Sequence, residues 1–139
     1  MCDLRVYLAG PIFDCEDNEC VDWRRKCRTE LVDCIILDPM ARDYRGKTDE
    51  NYREIVEQDK ADIDDSDVVL VHHLKASIGT SMEVLYAWQK SKHVIVYAPQ
   101  PRISPWLLYH SHRIFRDFGD ALSYIRNLQE KRLAEKERA

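Results

Sequence analysis

The sequence has no excess of positive charge and no long apolar run. Its 139 residues carry 21 Lys and Arg against 25 Asp and Glu, a formal net charge of -4. Nucleic acids and anionic membrane surfaces require basic side chains near phosphates, so neither is an expected partner. No stretch is apolar enough to span a bilayer, and residues 1–10 lack the basic and apolar regions of a signal peptide. We therefore expect a cytoplasmic protein that binds small molecules or other protein chains.

The cysteines of the sequence do not have the spacing of zinc ligands. The count is odd, and no pair has CxxC spacing or a suitably placed histidine. We expect no metal centre and reduced thiols with packing roles, namely Cys2, Cys15, Cys20, Cys27 and Cys34. Internal repeats and low-complexity linkers are also missing, and this length predicts a single domain over residues 1–139.

Short apolar runs alternate with longer segments of helical periodicity. The runs are rich in valine and isoleucine and too short for helices, which predicts buried strands at 4–10, 34–39, 67–73 and 93–99. Charged segments with apolar residues at helical spacing lie between them, at 18–32, 51–65 and 81–91. This alternation predicts a parallel sheet with helices on both faces, an α/β fold of the flavodoxin or Rossmann-like type.

The C-terminal part of the chain predicts one more strand and one more helix. Residues 113–118 are a candidate for a short fifth strand, so the sheet has four or five strands. The following helix carries Leu122, Ile125 and Leu128 on one face and then loses its apolar residues. Charges of both signs fill the remainder, so we expect residues 128–139 to form a frayed, solvated helical tail.

Ligands of such folds bind where parallel strands end, and the stretch SIGTSMEVLYA at 77–87 lies at one of these ends. Gly79 permits close backbone approach, and Thr80 or Ser81 can cap the helix that follows. Glu83 is then expected in the first helical turn, where the helix dipole favours an ionised carboxylate. An acid there is also common on helices with no catalytic role, so the segment alone leaves both interpretations open.

A second carboxylate, Asp59, interrupts the apolar face of the helix predicted at 51–65. The stripe expected to be buried has helical spacing and consists of Tyr52, Ile55, Val56 and Ile63. A buried carboxylate without a partner costs several kcal/mol or becomes protonated. Either an arginine pairs with Asp59 or a ligand cleft opens there, and the helix's direction toward the strand at 67–73 favours the cleft.

Three motifs carry a resemblance to a known family. They are VYLAGP at 6–11, EQDKADIDDSDVVLV at 57–71 and SIGTSMEVLYA at 77–87. In this order they resemble the nucleoside 2-deoxyribosyltransferase family and its 2'-deoxynucleoside 5'-monophosphate N-glycosidase relatives. The resemblance implies cleavage or exchange of an N-glycosidic bond through a covalent glycosyl-enzyme, with no metal or organic cofactor.

The resemblance also implies roles for individual residues. Glu83 is placed as the nucleophile that attacks C1' of the sugar, and Tyr7 as the side chain that holds this carboxylate. Asp59 is placed against the nucleobase, which it protonates as the base leaves. The position of Asp59 and Glu83 at strand ends, deduced above from periodicity, agrees with these roles.

Position 77 separates the branches of the family. Base-exchanging transferases usually have Asp there and the monophosphate N-glycosidases have Ser, so Ser77 favours hydrolysis of a 5'-monophosphate. The loop at 9–19 is acidic, which is more typical of transferases that act on free nucleosides. Arg42, Arg45 and Lys47 can supply cations for a phosphate or belong to an ordinary solvated loop.

Other substrate contacts are expected around the same strand ends, from Gly10, Pro11, Arg45, Ser77 and Gly79. In the family, a residue near the C-terminus of one subunit usually completes the site of its neighbour. This implies a homo-oligomer, a dimer or larger. The segment PWLLYHSHR at 105–113 is the candidate for that interface, with Ser111 as the contributing residue.

Several polar residues near the strand ends have a structural alternative. Asp67 is expected to fix the loop between helix and strand, and Asp64 and Asp65 to be solvated. Two histidines, His72 and His73, lie at the ligand-binding end of the strand at 67–73. Either one of them lines the pocket, or they have a structural role in packing.

An alternative of another class is a catalytically silent nucleotide sensor with the same fold. The presence of Tyr7, Asp59 and Glu83 together favours the enzyme, because a sensor does not require a nucleophile.

Overall fold

Five parallel strands form one sheet in a computed structural model that describes residues 3–138. The strand order is β2-β1-β3-β4-β5, and all four neighbouring pairs are parallel. The strands are β1 Arg5–Ala9, β2 Ile35–Leu37, β3 Val68–His72, β4 His93–Tyr97 and β5 Arg113–Phe115. The predicted parallel α/β sheet is confirmed, including the short fifth strand.

Five α-helices connect and follow the strands. They are α1 Asp17–Glu30, α2 Thr48–Asp64, α3 Ile78–Gln89, α4 Pro105–Tyr109 and α5 Phe118–Arg138, and a 3-10 turn at Pro39–Ala41 follows β2. A capping box starts α1, because the Glu16 backbone N–H donates to Glu19 Oε1 at 2.9 Å. The three helices predicted between strands thus correspond to α1, α2 and α3, and the predicted C-terminal helix corresponds to α5. The short helix α4 lies in a segment for which no helix was predicted.

The two faces of the sheet bury separate cores. Side chains alternate along each strand, so Val6 and Leu8 of β1 pack with α1 and α5 while Tyr7 and Ala9 pack on the opposite face. Trp23, Cys27, Leu122 and Ile125 fill the first core, and Ile63, Val84, Ala87 and Leu107 fill the second. Helices therefore cover both faces, as the alternation predicted.

The C-terminal helix contacts the rest of the protein over more of its length than the sequence predicted. Gln129 is buried, its Oε1 accepts from the Leu4 backbone N–H at 2.7 Å, and its Nε2 donates to the Asp33 carbonyl at 2.8 Å. Arg132 Nη1 donates to Asp67 Oδ2 at 2.8 Å. The expected frayed tail is therefore wrong for the stretch up to Arg132, because the polar contacts of Gln129 and Arg132 add to the packing of Leu128 against the core.

Asp67 has the structural role expected of it. Its Oδ2 accepts from the Arg5 backbone N–H at 2.9 Å as well as from Arg132. Asp64 and Asp65 are exposed, as predicted, although each has a partner: the Tyr86 hydroxyl donates to Asp64 and Arg5 pairs with Asp65.

The four cysteines that lie within the described residues are free thiols, and Cys20 and Cys27 are buried. Cys2 lies outside the described residues. Across residues 3–138 no helix is both long and apolar enough to cross a membrane. The same part of the chain contains no cluster of three or more His, Cys, Asp or Glu side chains arranged to hold a metal ion.

Candidate active site

A cavity of about 580 Å³ opens at the carboxyl end of the sheet. Its walls come from the loops after β1 and β2, from the inner face of α2 and from the start of α3. Most of the lining is apolar, with Ile12, Phe13, Met40, Ile55, Val56 and Met82 among the residues that contribute to it. Asp59 and Glu83 both line this cavity, so the fold brings the two carboxylates singled out in the sequence into one site.

Glu83 reaches the cavity from the second turn of α3, not from the first turn as predicted. Ser77 caps the helix, because its backbone is extended and its Oγ accepts from the Thr80 backbone N–H at 3.4 Å. The helix therefore begins at Ile78, three residues before the start predicted from Thr80 or Ser81. The helix dipole acts mainly within the first turn, so it is not the main influence on the Glu83 carboxylate.

Tyr7 holds the Glu83 carboxylate. The Tyr7 hydroxyl donates to Glu83 Oε2 in a short hydrogen bond from the buried middle of β1. Burial and the charge of Glu83 raise the pKa of Tyr7 well above its ordinary value of 10, so the phenol keeps its proton and remains a donor. One carboxylate oxygen is thus fixed by the sheet.

Desolvation raises the pKa of Glu83 to about 8, although part of the side chain opens onto the cavity. The hydrogen bond from Tyr7 opposes this effect and the charge of Asp59 adds to it. An acid in this range is a stronger nucleophile when ionised than an ordinary carboxylate, because its charge is poorly solvated.

Asp59 shows both features that the sequence left as alternatives. Arg42 Nη2 lies 3.4 Å from Asp59 Oδ1, and the carboxylate also lines the cavity. Burial raises the pKa of Asp59 to about 6, against the lowering effect of Arg42. A carboxyl group with a pKa near the working pH suits the role of a general acid.

The helix that carries Asp59 is less buried than its apolar stripe predicted. Ile63 is in the core, but Tyr52 is 57% exposed and Val56 is 48% exposed. Val56 lines the cavity instead of packing in the core. The stripe was therefore only partly a core face, since Ile55, Val56 and Ile63 border the cavity.

The start of α3 forms another wall of the cavity, through Ser77, Gly79 and Thr80. A side chain at Gly79 would meet no protein atom within 4 Å, so the missing side chain leaves open space at the cavity wall. Thr80 is buried, and its Oγ1 has no hydrogen-bond partner within residues 3–138.

The sequence profile of one family, described as nucleoside 2-deoxyribosyltransferase, matches residues 6–123. The chain belongs to this family. The resemblance seen in the three motifs is thereby confirmed, and the protein is an enzyme of the nucleoside deoxyribosyltransferase or N-glycosidase type. A non-catalytic sensor does not agree with this membership. No curated protein sequence matches the chain.

Solved structures share the fold at low sequence identity. A 2-deoxyribosyltransferase from Bacillus psychrosaccharolyticus is 19% identical with a TM-score of 0.69, covering 85% of this chain and 90% of its own. The 2-deoxyribosyltransferase from Leishmania mexicana is 18% identical with a TM-score of 0.67, covering 87% of this chain and 95% of its own. A CMP N-glycosidase from Clostridium botulinum is 16% identical with a TM-score of 0.60, covering 88% of this chain and 98% of its own.

Two of the three cations expected to serve a phosphate, Arg42 and Arg45, are paired with carboxylates in this deoxyribosyltransferase-family enzyme. Arg45 lines the cavity, but it lies 2.6 Å from both Asp17 Oδ1 and Asp43 Oδ2. Arg42 lies on Asp59, as described above. Lys47 is exposed and is not part of the cavity wall.

Of three other residues predicted to contact the substrate, only Gly10 lines the cavity. Gly10 lines the cavity and is required by packing, since a Cβ there would lie 2.6 Å from Trp23 Cζ2. Pro11 is buried but does not line the cavity. Ser111 lies outside the cavity of its own chain, and its Oγ donates to the Leu107 carbonyl at the end of α4.

Neither candidate histidine lines the cavity. His72 stacks on Trp23 with ring centroids 4.6 Å apart, and burial lowers its pKa to about 4. His73 Nδ1 lies 3.3 Å from Gln100 Oε1. The structural alternative is therefore correct for both residues.

Sequence reasoning missed Arg24, which is buried in α1 behind the cavity floor. Its guanidinium donates to the carbonyls of Cys20 at 2.9 Å and Gly10 at 3.2 Å, and its Nε lies 3.3 Å from Asp38 Oδ1. The positive charge of Arg24 lowers the pKa of Glu83 and of Asp59. A detectable signal was present, because Cys20, Trp23, Arg24 and Cys27 share one helical face with the spacing of a buried stripe.

Proposed function

We propose that the enzyme cleaves the N-glycosidic bond of a 2'-deoxynucleoside 5'-monophosphate through a covalent intermediate on Glu83. The observation that carries this proposal is the pair of carboxylates in one cavity, with Glu83 held by Tyr7 and Asp59 kept partly protonated by burial. Two carboxyl groups in different environments can divide the roles of nucleophile and acid.

In the first step, a Glu83 oxygen attacks C1' and the bond from C1' to the base nitrogen breaks. The electron pair of that bond moves into the base, and the proton of Asp59 neutralises the base as it departs. The sugar is left as an ester of Glu83. In the second step, water attacks C1', the bond from C1' to the Glu83 oxygen breaks, and Asp59 takes up the proton that the water releases. This restores the Glu83 carboxylate and the protonated Asp59.

The start of α3 is the part of the cavity that supports a 5'-phosphate. Ser77 and Thr80 line the cavity there, and the buried Thr80 Oγ1 lacks a partner within the described residues. Gly79 leaves open space beside them. The N-terminus of a helix favours an anion, since its first backbone N–H groups have no partner inside the helix.

A second candidate function is base exchange on free deoxynucleosides, with a second base replacing water as the acceptor. The loop after β1 supports it, because Asp14 lines the cavity and its carboxylate would repel a phosphate. The engaged state of Arg42 and Arg45 supports it as well, since neither guanidinium is unpaired.

We also propose that a second copy of the chain completes the site. Large apolar side chains are exposed on α3 and α4, namely Ile78, Met82, Leu85, Trp106, Leu108 and Tyr109. A surface of this kind is typical of a protein interface. Ser111 lies two residues after the end of α4, so a copy seated on this face brings that residue toward the neighbour's cavity. We place the enzyme in the cytoplasm, where its free thiols stay reduced.

A panel of deoxynucleosides and their 5'-monophosphates tests the reaction, with released base measured by chromatography. Glu83→Gln should lose turnover, because an amide cannot form the ester, and wild type stopped with acid should carry one deoxyribosyl group detectable by mass spectrometry. Glu57→Gln, on the exposed face of α2, is the matched control and should retain activity. Near-normal turnover by Glu83→Gln would remove Glu83 from the mechanism.

Ser77→Asp tests the phosphate. The new carboxylate can still cap α3, so the fold should persist. Two unit charges about 4 Å apart repel by about 4 kcal/mol at an effective dielectric constant of 20, which should reverse a preference for the monophosphate. The measurement is kcat/KM for monophosphate over nucleoside, with Ser81→Asp, outside the cavity lining, as the control for added charge on the same helix. A wild type that prefers the nucleoside would support the exchange reaction instead.

A further inference from the structure

Arg42 presents a guanidinium at the side of the cavity where Asp59 lies. It directly follows the 3-10 turn Pro39–Ala41, and its side chain extends to α2. Nη2 donates to Asp62 Oδ2 at 2.8 Å and to Asp59 Oδ1 at 3.4 Å. The side chain is 31% exposed and forms part of the cavity wall, whereas Asp62 does not line the cavity. Two carboxylates thus anchor the guanidinium at the edge of the site.

The guanidinium has hydrogen-bond donors to spare. It carries five N–H groups in one plane and no acceptor. Both of its contacts use Nη2, and among residues 3–138 no acceptor is hydrogen-bonded to Nε or Nη1. When Asp59 is protonated, its carboxyl group is a donor too. This wall of the cavity then offers two neighbouring donors, one from Asp59 and one from Arg42.

We propose that Arg42 selects the nucleobase, so that the enzyme prefers the 6-oxopurines guanine and hypoxanthine to adenine. The inference rests on the proposed function, in which Asp59 protonates the leaving base. In guanine, N7 and O6 are neighbouring acceptors, whereas adenine places an amino donor beside N7. Hypoxanthine shares the N7 and O6 edge of guanine. With N7 at Asp59, Arg42 donates to O6 of a 6-oxopurine but meets the N–H groups of adenine donor to donor.

The same contact assists departure of the base. As the bond from C1' to N9 breaks, its electron pair moves into the purine ring and the Asp59 proton passes to N7. Charge develops on O6 of a 6-oxopurine during this step, and a guanidinium stabilises it. Asp59 becomes a carboxylate at the same moment, and Arg42 is already in contact with that group.

Steady-state kinetics with matched purines test the inference. Guanine and 2,6-diaminopurine both carry a 2-amino group and differ only at position 6. Hypoxanthine and adenine both lack that group and again differ only at position 6. We expect kcat/KM for the oxo member to exceed that for the amino member about tenfold or more, because a site built to donate leaves unpaired groups with the wrong base. The substrates are used as nucleosides and as monophosphates, all at one pH.

Arg42→Gln provides the second arm. A glutamine amide offers one donor and one acceptor, the pattern that fits adenine, so the ratio should fall at least tenfold and turn toward the amino purines. Loss of the positive charge should lower kcat/KM for all substrates. The change in the ratio of oxo to amino purines separates base selection from that general decrease. Arg53→Gln, on the exposed side of α2 and outside the cavity lining, should keep the wild-type ratio.

The outcomes separate the inference from the proposed function. Release of no base from any substrate would refute the proposed function. Base release with equal or better use of adenine by the wild type would overturn the inference alone, as would an unchanged ratio in Arg42→Gln. If that variant does not fold, competition by free guanine and free adenine against the wild type provides the measurement, and stronger inhibition by adenine refutes the inference.

Discussion

Replacing Tyr7 with phenylalanine is expected to lower turnover across neutral pH by raising the pKa of Glu83. The proposed reaction requires Glu83 ionised and Asp59 protonated, yet the pKa of Glu83 is raised to about 8 and that of Asp59 to about 6. The active protonation state is therefore a minor one, about one molecule in a hundred between these two pKa values. The profile of kcat/KM against pH should be flat from about pH 6 to about pH 8 and fall on both sides. The limb above pH 8 then follows Glu83, and the limb below pH 6 follows Asp59.

The magnitude follows from one hydrogen bond. The Tyr7 hydroxyl donates to the charged form of Glu83, and a hydrogen bond to a charged group contributes about 1.5–3 kcal/mol. At 1.36 kcal/mol per pKa unit, its loss raises the pKa of Glu83 by about one to two units. The plateau of kcat/KM should fall about 10-fold to 100-fold. The alkaline limb should move upward by the same one to two units, while the acid limb stays near pH 6.

The assay is the kcat/KM profile of wild type and Tyr7→Phe from pH 5 to pH 10, with thermal unfolding to verify that the variant is folded. Tyr52→Phe is the matched control, since Tyr52 is exposed and does not line the cavity. A plateau that falls while the alkaline limb stays in place would show that Tyr7 positions Glu83 without setting its charge. An unchanged plateau would refute the reasoning altogether.

Three predictions concern stability, each measured as the free energy of unfolding in denaturant. Gly10→Ala should lose about 1–3 kcal/mol, because its Cβ would overlap Trp23 in a packed core; an unaltered midpoint would show that the indole ring moves aside easily. Gln129→Leu should lose about 1–3 kcal/mol by leaving the backbone N–H of Leu4 without an acceptor, and a stable variant would mean that water replaces the amide. Burial lowers the pKa of His72 to about 4, below its ordinary 6.5, so the unfolded chain takes up the proton first and stability declines as the pH falls below about 6.5. From pH 7 to pH 5 this costs at most about 2 kcal/mol, and His72→Phe, which keeps the stacking, should lose less stability over that range than wild type; equal losses would exclude this histidine as the cause.

The order of strands and helices was determined by local sequence patterns. Runs such as DVVLVHH at 67–73 and HVIVYAP at 93–99 are short, continuous apolar stretches rich in valine, which is the pattern of a strand buried on both faces. The intervening helices show their own periodicity, and the right-handed crossover restricts how the resulting units pack on the sheet. Signals of this kind need no distant partner, which explains why the parallel sheet could be predicted. The resemblance in three motifs likewise identified the family before any geometry was known.

Side-chain environments depended on contacts between distant parts of the chain. The sequence around Asp59 is compatible with either a ligand cleft or an ion pair. The structure has both, because Arg42, from the loop after β2, pairs with Asp59 at the cavity wall. Gln129 looks like a solvated tail residue until the N–H of Leu4 and the carbonyl of Asp33 are brought beside it. The energies of the Asp59 ion pair and of the Gln129 hydrogen bonds depend on desolvation and on partners that are remote in sequence. No local sequence pattern therefore predicts these contacts.

The start of α3 shows how a single hydrogen bond decides between choices that the sequence leaves equal. Ser77, Thr80 and Ser81 are all good cap residues, and the sequence favoured the later two. In the structure Ser77 caps the helix, because its Oγ accepts from the Thr80 backbone N–H, and Glu83 therefore projects from the second turn toward the hydroxyl of Tyr7. The sequence by itself determined that a carboxylate stands near the end of β3. Only the tertiary structure decided which groups surround that carboxylate, because its pKa depends on burial and on a phenol that lies on another strand.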